Sequence, residues 1–197
     1  FLRVRDPTRF GDDLGAVRPM IAASHGLAMP VAGFDVGRMY AGLRALHPLQ
    51  LPPRDDGRPA MVGSVEVGVA MHDLLAQASG RFGAEFAMAL PRALVDDVMW
   101  PDDIRANLQW SASCDCYIDT ALNLSSADLL DQLPNPQRVP FNGHRLVELD
   151  TRWYVVTRVA LESYHDLLAS GTPQRPDATV FIFADRSEVI ADYRAQR

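Results

Sequence analysis

An α+β fold is what this chain of 197 residues predicts: one mostly antiparallel sheet with helices packed on one face. Three observations point there. Apolar and polar residues alternate in several separate stretches, Asn142-Gly143 marks a tight turn in one of them, and helix-like segments lie between and after the strands. The composition, 48% hydrophobic and 22% charged, is that of an ordinary globular chain with enough apolar residues for a sizeable core.

At the N-terminal end the spacing predicts helices over 12–24 and 35–46, with Pro19 kinking or delaying the first. In the second, Val36, Met39, Tyr40, Leu43 and Leu46 fall on one helical face. The prolines, glycine and paired aspartates of Leu51 to Pro59 form the clearest loop, and they divide a helical N-terminal segment (1–50) from an α+β main domain (60–197). Val65, Val67 and Val69 then alternate as a strand before the helix-like "MHDLLAQAS", and a second alternation ends at Pro91. "RALVDDVM" reads as a short helix, and Pro101 with Asp102 and Asp103 reads as a helix first turn.

From Asn107 to Leu122 the even positions are largely apolar and the odd ones polar, which predicts a long central strand over 107–122 carrying Cys114 and Cys116 on its apolar face. Ser125 and Asp128 resemble a capping box opening a helix that stops before Pro134. Val139 to Thr157 reads as a meander of two or three strands, followed by a helix from Val159 to Ser170, the strand "TVFIFAD" and a terminal helix: a β-β-α-β-α tail.

Several function classes are excluded at this level. The net charge is −6, so no basic face for nucleic acid is expected. All 19 basic residues are arginine, which removes lysine-based Schiff-base and phosphate-loop chemistry; a GC-rich bacterial genome explains this most simply. The dinucleotide fingerprint, phosphate loop, nucleophile elbow and His-Glu-x-x-His motif are all absent, and no cofactor is expected. No apolar run approaches the ~20 residues of a membrane helix, so no membrane contact is expected of this segment. The expected setting is the cytoplasm, although the sequence opens at Phe1 and is compatible with a removed leader or with secretion into a host cell.

Cys114 and Cys116 pose the sharpest question. Residues two apart on a strand sit ~6.5–7 Å apart at Cα, near the limit for a disulfide, and zinc would need two more ligands in a pattern that the five histidines do not supply, so no metal site is expected. A thiol nucleophile would use Cys114 or Cys116 with His144 as base and Asp150 or Glu148 orienting it. The order cysteine, histidine, acid through "HRLVELDTRWYVVT" is loosely similar to transglutaminase-like and papain-like hydrolases. That resemblance implies a thiol-dependent hydrolase or transferase, and it departs from those families in placing the cysteine in a strand. Free cysteine is otherwise an ordinary small core residue. Arg138, Arg145, Arg152 and Arg158 crowd around Trp153 and Tyr154, a grouping able to grip a carboxylate, a phosphate or a partner loop, though on strands such arginines also serve at outward positions. The expected function is a non-catalytic interaction or structural module in a bacterial assembly, its partner another protein or a second copy. The alternatives are the thiol enzyme and a small-ligand-binding protein.

Overall fold

Pro19 takes the first position of α1 (Pro19–Leu27), where its missing N–H is harmless, so the first helix begins later than the periodicity from Asp12 predicts. The protein is described by a computed structural model covering residues 2–4, 6–15, 17–52, 60–119, 124–162 and 176–196. The second expected helix, 35–46, is replaced by the end of β1 (Val31–Val36), a turn, and the first half of β2 (Ala41–Leu51). β2 pairs in turn with β3 (Ala60–Ala70), giving a three-stranded antiparallel sheet. Its hairpin spans the loop where the sequence suggests a boundary between 1–50 and 60–197; residues 53–59 lie outside the described residues.

The helical reading of 35–46 fails for a physical reason. On β2 the inward positions are Gly42, Arg44 and Leu46, so a strand's usual alternation of polarity is broken by a buried arginine. Gly42 also lies so close to β3 that a Cβ would collide with the Val69 carbonyl. On β3 the pattern is inverted: Glu66 faces inward while Val65 and Val67 are 52% and 71% exposed.

α2 (Met71–Phe82) follows β3 directly and ends at Gly83 in the left-handed conformation, as its amide bonds back to Ser79. β4 (Glu85–Pro91), α3 (Arg92–Val98) and α4 (Pro101–Asn107) fall where sequence places them. The expected long strand does not form. Residues 107–122 instead make a hairpin of β5 (Leu108–Ser111), a turn over 112–115 and β6 (Cys116–Asp119), with residues 120–123 outside the described residues. Asp115 takes φ 51°, which reverses the chain. Register pairs Trp110 with Tyr117 and Ser111 with Cys116, so the even residues of the two halves land on opposite faces. One uninterrupted alternation in sequence thus spans two strands.

α5 (Leu124–Gln132) and a 3-10 turn (Pro136–Arg138) lead into β7 (His144–Leu149) and β8 (Arg152–Leu161). Asp150 and Thr151, both at positive φ, make the two-residue turn between them. The helix expected from Val159 is a continuation of β8 to Leu161, and 163–170 of it lie outside the described residues. β9 (Ala178–Asp185) and α6 (Ser187–Ala195) complete the chain as expected.

The second sheet has six antiparallel strands in the order β5-β6-β4-β9-β8-β7. Helices do not keep to one of its faces. Ala127, Leu130 and Leu133 of the α5 region pack with Ile118, Val156, Phe181 and Phe183 on one side. On the other, Phe86, Met88, Leu90 and Val180 meet α3, Met71 of α2 and the Phe34–Val36 end of β1, joining the two sheets through a shared core. The fold is α+β, as predicted, but built from two sheets with apolar packing on both faces of the larger.

Candidate ligand-binding site

The inverted polarity of β2 and β3 has a purpose in the packing. Arg18, just ahead of α1, donates from Nε to Asp35 Oδ2 (2.8 Å) and from Nη1 to Glu66 Oε2 (2.6 Å). Arg44 donates from Nη1 to Glu66 Oε1 (2.7 Å) and from Nη2 to the Tyr40 carbonyl (2.9 Å), and its guanidinium lies 4.5 Å from the Tyr40 ring centroid. Glu66 therefore bridges two guanidinium groups at a site where the three side chains are 2–7% exposed. Glycine makes the room: a Cβ on Gly37 would collide with Arg44 Nη2, and one on Gly68 would stand 3.2 Å from the Tyr40 hydroxyl.

Burying these charges leaves them strongly coupled. Burial works against the charge on Arg18, but Asp35 and Glu66 together outweigh it and leave its pKa above the usual value. Asp35 is pushed above the ordinary carboxylate range because burial dominates over the opposing pull of Arg18. The donors are not all used. Arg18 Nη2, Arg44 Nε and Arg38 Nε are buried without a hydrogen-bond partner among the described residues.

These arginines line a cavity of about 720 Å³ between the N-terminal segment and the β2–β3 surface. Arg3, Arg18, Arg38 and Arg44 face Asp6 and Glu66 around it, four cationic side chains against two carboxylates. Leu2, Val4, Met39 and Val65 supply apolar wall. Its size and mixed lining suit a small organic molecule. Arg3 is held in place by Asp12 (Nη1 to Oδ1, 2.8 Å) and lies over Trp100, as does Arg9, which ties the N-terminal segment to the start of α4.

No family model and no curated protein matches the sequence. Among solved structures the chain is similar to "The ligand binding domain of Mlp24 with asparagine", at 13% identity and a TM-score of 0.40 over 93% of this chain. The chain spans 62% of that domain's length.

The residues singled out from sequence are dispersed. Cys114 and Cys116 form a disulfide, which corrects the reading of them as free core residues. The turn at Asp115 brings their Cα atoms to 5.2 Å, inside the range for a disulfide, where an extended strand would hold them too far apart. Neither carries a free thiol. His144 is exposed on β7, at the opposite edge of the sheet from β6; four strand spacings of ~4.8 Å put it about 19 Å away, beyond reach of either sulfur. Asp150 sits at the β7–β8 turn.

The arginine-aromatic grouping is split by the sheet. Arg145, Arg152, Tyr154 and Arg158 share one face by register, whereas Trp153 lies on the other, where Arg194 stacks on it at 5.3 Å. That first face also buries Val147 and Val156, while Arg152 stands exposed at its end and Arg145 is half-buried. Arg158 is spent internally: it donates to the carbonyls of Gln137 and Val139 and stands 3.5 Å over the Phe141 ring. Burial lowers its pKa. Arg138 is exposed at the 3-10 turn.

Sequence reasoning passed over Arg18, Asp35, Arg38, Arg44 and Glu66. A faint signal existed: a lone glutamate within "SVEVGV" and a lone arginine within "AGLRALH" are charges set in two otherwise apolar stretches of opposite sign. No helix among the described residues is long and apolar enough to cross a membrane.

Proposed function

We propose that this chain is a small-ligand-binding module whose ligand is an organic anion seated in the arginine-lined cavity. The reading rests on one observation above others: buried guanidinium N–H groups of Arg18, Arg38 and Arg44 remain without partners beside a cavity of about 720 Å³. A buried donor left unpaired costs about 1–3 kcal/mol, and a carboxylate ligand would recover that while its apolar part rests on Leu2, Val4 and Met39.

Thermal unfolding with benzoate, succinate and inorganic phosphate tests it. A ligand at a hundred times its Kd stabilises by ~2.7 kcal/mol, about 5–10 °C in Tm for a chain of this size. Arg38→Ala should abolish the shift without unfolding the protein, because Arg38 is only partly buried and bonds one carbonyl, that of Val98. The absence of a shift with all three anions, or an equal shift in Arg38→Ala, defeats the reading. The compartment that accompanies it is one that keeps Cys114–Cys116 oxidised, which favours an extracytoplasmic setting over the cytoplasm. Thiol titration of freshly isolated protein checks this, two reactive thiols being the contrary result.

A second reading, self-association, is favoured by a different observation. β3 is an edge strand whose Val65, Val67 and Val69, with Leu43 and Leu49 of β2, are 37–71% exposed. Sedimentation should then show a dimer that Val67→Lys dissociates, and a monomer at all concentrations removes it.

A further inference from the structure

We propose that the occupant of the arginine-lined cavity is a short peptide in extended conformation, whose main chain adds to the free edge of β3 and whose C-terminal carboxylate meets the buried guanidinium groups. This rests on the anion-site reading above and narrows it to one class of ligand. The sheet order is β1-β2-β3, so among the described residues β3 pairs on one side only, with β2. Ser64, Val65, Glu66, Val67 and Gly68 all line the cavity, five residues in succession. Successive side chains of a strand point to opposite faces, and here Glu66 is turned inward while Val65 and Val67 are 52% and 71% exposed. A cavity on one face of β3 would touch alternate residues. One that touches every residue runs along the edge, where the outward main-chain N–H and C=O groups stand.

That edge is left open to pairing. Exposed edges are usually blunted by proline or by outward charges. From Ser64 to Ala70 β3 has neither, because its one charge, Glu66, is engaged by Arg18 and Arg44. Leu2, Arg3 and Val4, again in succession, form the other wall. A strand added in such a slot gains main-chain hydrogen bonds along its length, with side-chain contacts at every second residue.

Charge complementarity decides between occupants. Arg18 Nη2, Arg38 Nε and Arg44 Nε lie buried beside the same cavity without a hydrogen-bond partner among the described residues, and Arg18 and Arg44 are only 2% and 8% exposed. A peptide C-terminus brings a carboxylate whose two oxygens can accept from them. A second copy of β3 brings only Glu66, already held by two arginines of its own chain. An isolated small carboxylate would fill the arginine end and leave the strand edge unpaired.

Titration calorimetry on the intact chain with acetyl-Val-Ala-Val-Ala-Val as the free acid, the same peptide as its C-terminal amide, and acetate tests this. The acid should bind about tenfold or more tighter than either the amide or acetate, and Arg38→Ala should erase the preference for the acid. Alternate amides of an extended chain face the same edge, so N-methylation of one alternate set should weaken the acid by about tenfold, whereas N-methylation of the other set should leave it within about twofold. Equal affinity for acid and amide, equal losses on methylating either set, or a dimer through β3 that takes no peptide would each overturn the proposal. A peptide acid no tighter than acetate, while succinate or benzoate still raises Tm, removes the peptide and keeps the anion site; no response to any anion removes both.

Discussion

Glu66→Gln isolates the most concentrated electrostatics in the molecule. The substitution keeps the shape of the side chain and one acceptor oxygen but removes the charge that two arginines share. Arg18 then retains Asp35, whereas Arg44 is left with the Tyr40 carbonyl and ring. With the three side chains 2–7% exposed, removing one member leaves an uncompensated buried charge, which costs about 3–5 kcal/mol. That is a large fraction of the ~5–15 kcal/mol available to a protein. Urea unfolding followed by circular dichroism should show the midpoint fall with m unchanged, and Tm should drop by roughly 6–20 °C. Replacing the set together, Arg18→Met with Glu66→Leu and Arg44→Met, should cost far less than the single change because no charge is then stranded. The same single variant should bind anions more tightly, since the cavity loses a carboxylate, so stability and affinity move in opposite directions. A loss below about 1 kcal/mol would refute the reasoning, because it would mean that the charges are solvated rather than paired across buried space.

Three further outcomes follow from other parts of the fold. Reducing Cys114–Cys116, or Cys114→Ser, should lower stability by only about 1.5 kcal/mol, as a loop of so few residues restricts the unfolded chain little; denaturation with and without reductant measures it, and loss of folding would contradict it. His72 on α2 lies 3.4 Å from the buried Asp119 carboxylate, which raises its pKa above 6.5, so its contribution is complete below pH 6.5 and fades as pH rises through the raised value. Unfolding midpoints compared between pH 6 and 8 should flatten in His72→Gln, and an unchanged slope would rule the pair out as the source. Gly42→Ala should destabilise by about 2–3 kcal/mol by forcing β2 from β3 at the Val69 backbone carbonyl; urea unfolding measures it, and a loss below about 0.5 kcal/mol would count against the close strand approach.

Local chemistry was readable from sequence wherever it acts over a few residues. Pro101 with its aspartates, the turn residues around β7 and β8 and the apolar run of β9 lie where the sequence places them, because helix first turns, chain reversals and strand periodicity depend on neighbours in the chain; α5 instead starts at Leu124, so Ser125 lies within the helix and not at its cap. So was the class of fold, since alternating strands interspersed with short helices admit few other arrangements. Tertiary structure decided what depends on distant partners. Whether Asp35 to Leu46 is helix or strand turns on β3, 20 or so residues on, and whether 107–122 is one strand or two turns on a single positive φ at Asp115, which leaves the alternation in sequence untouched. Arg18 meets Glu66 across 48 positions and Arg44 meets it across 22, so the buried charges that line the candidate site looked, one at a time, like ordinary surface residues. Burial of a charge is a property of its neighbours in space, and only the folded chain brings those neighbours together.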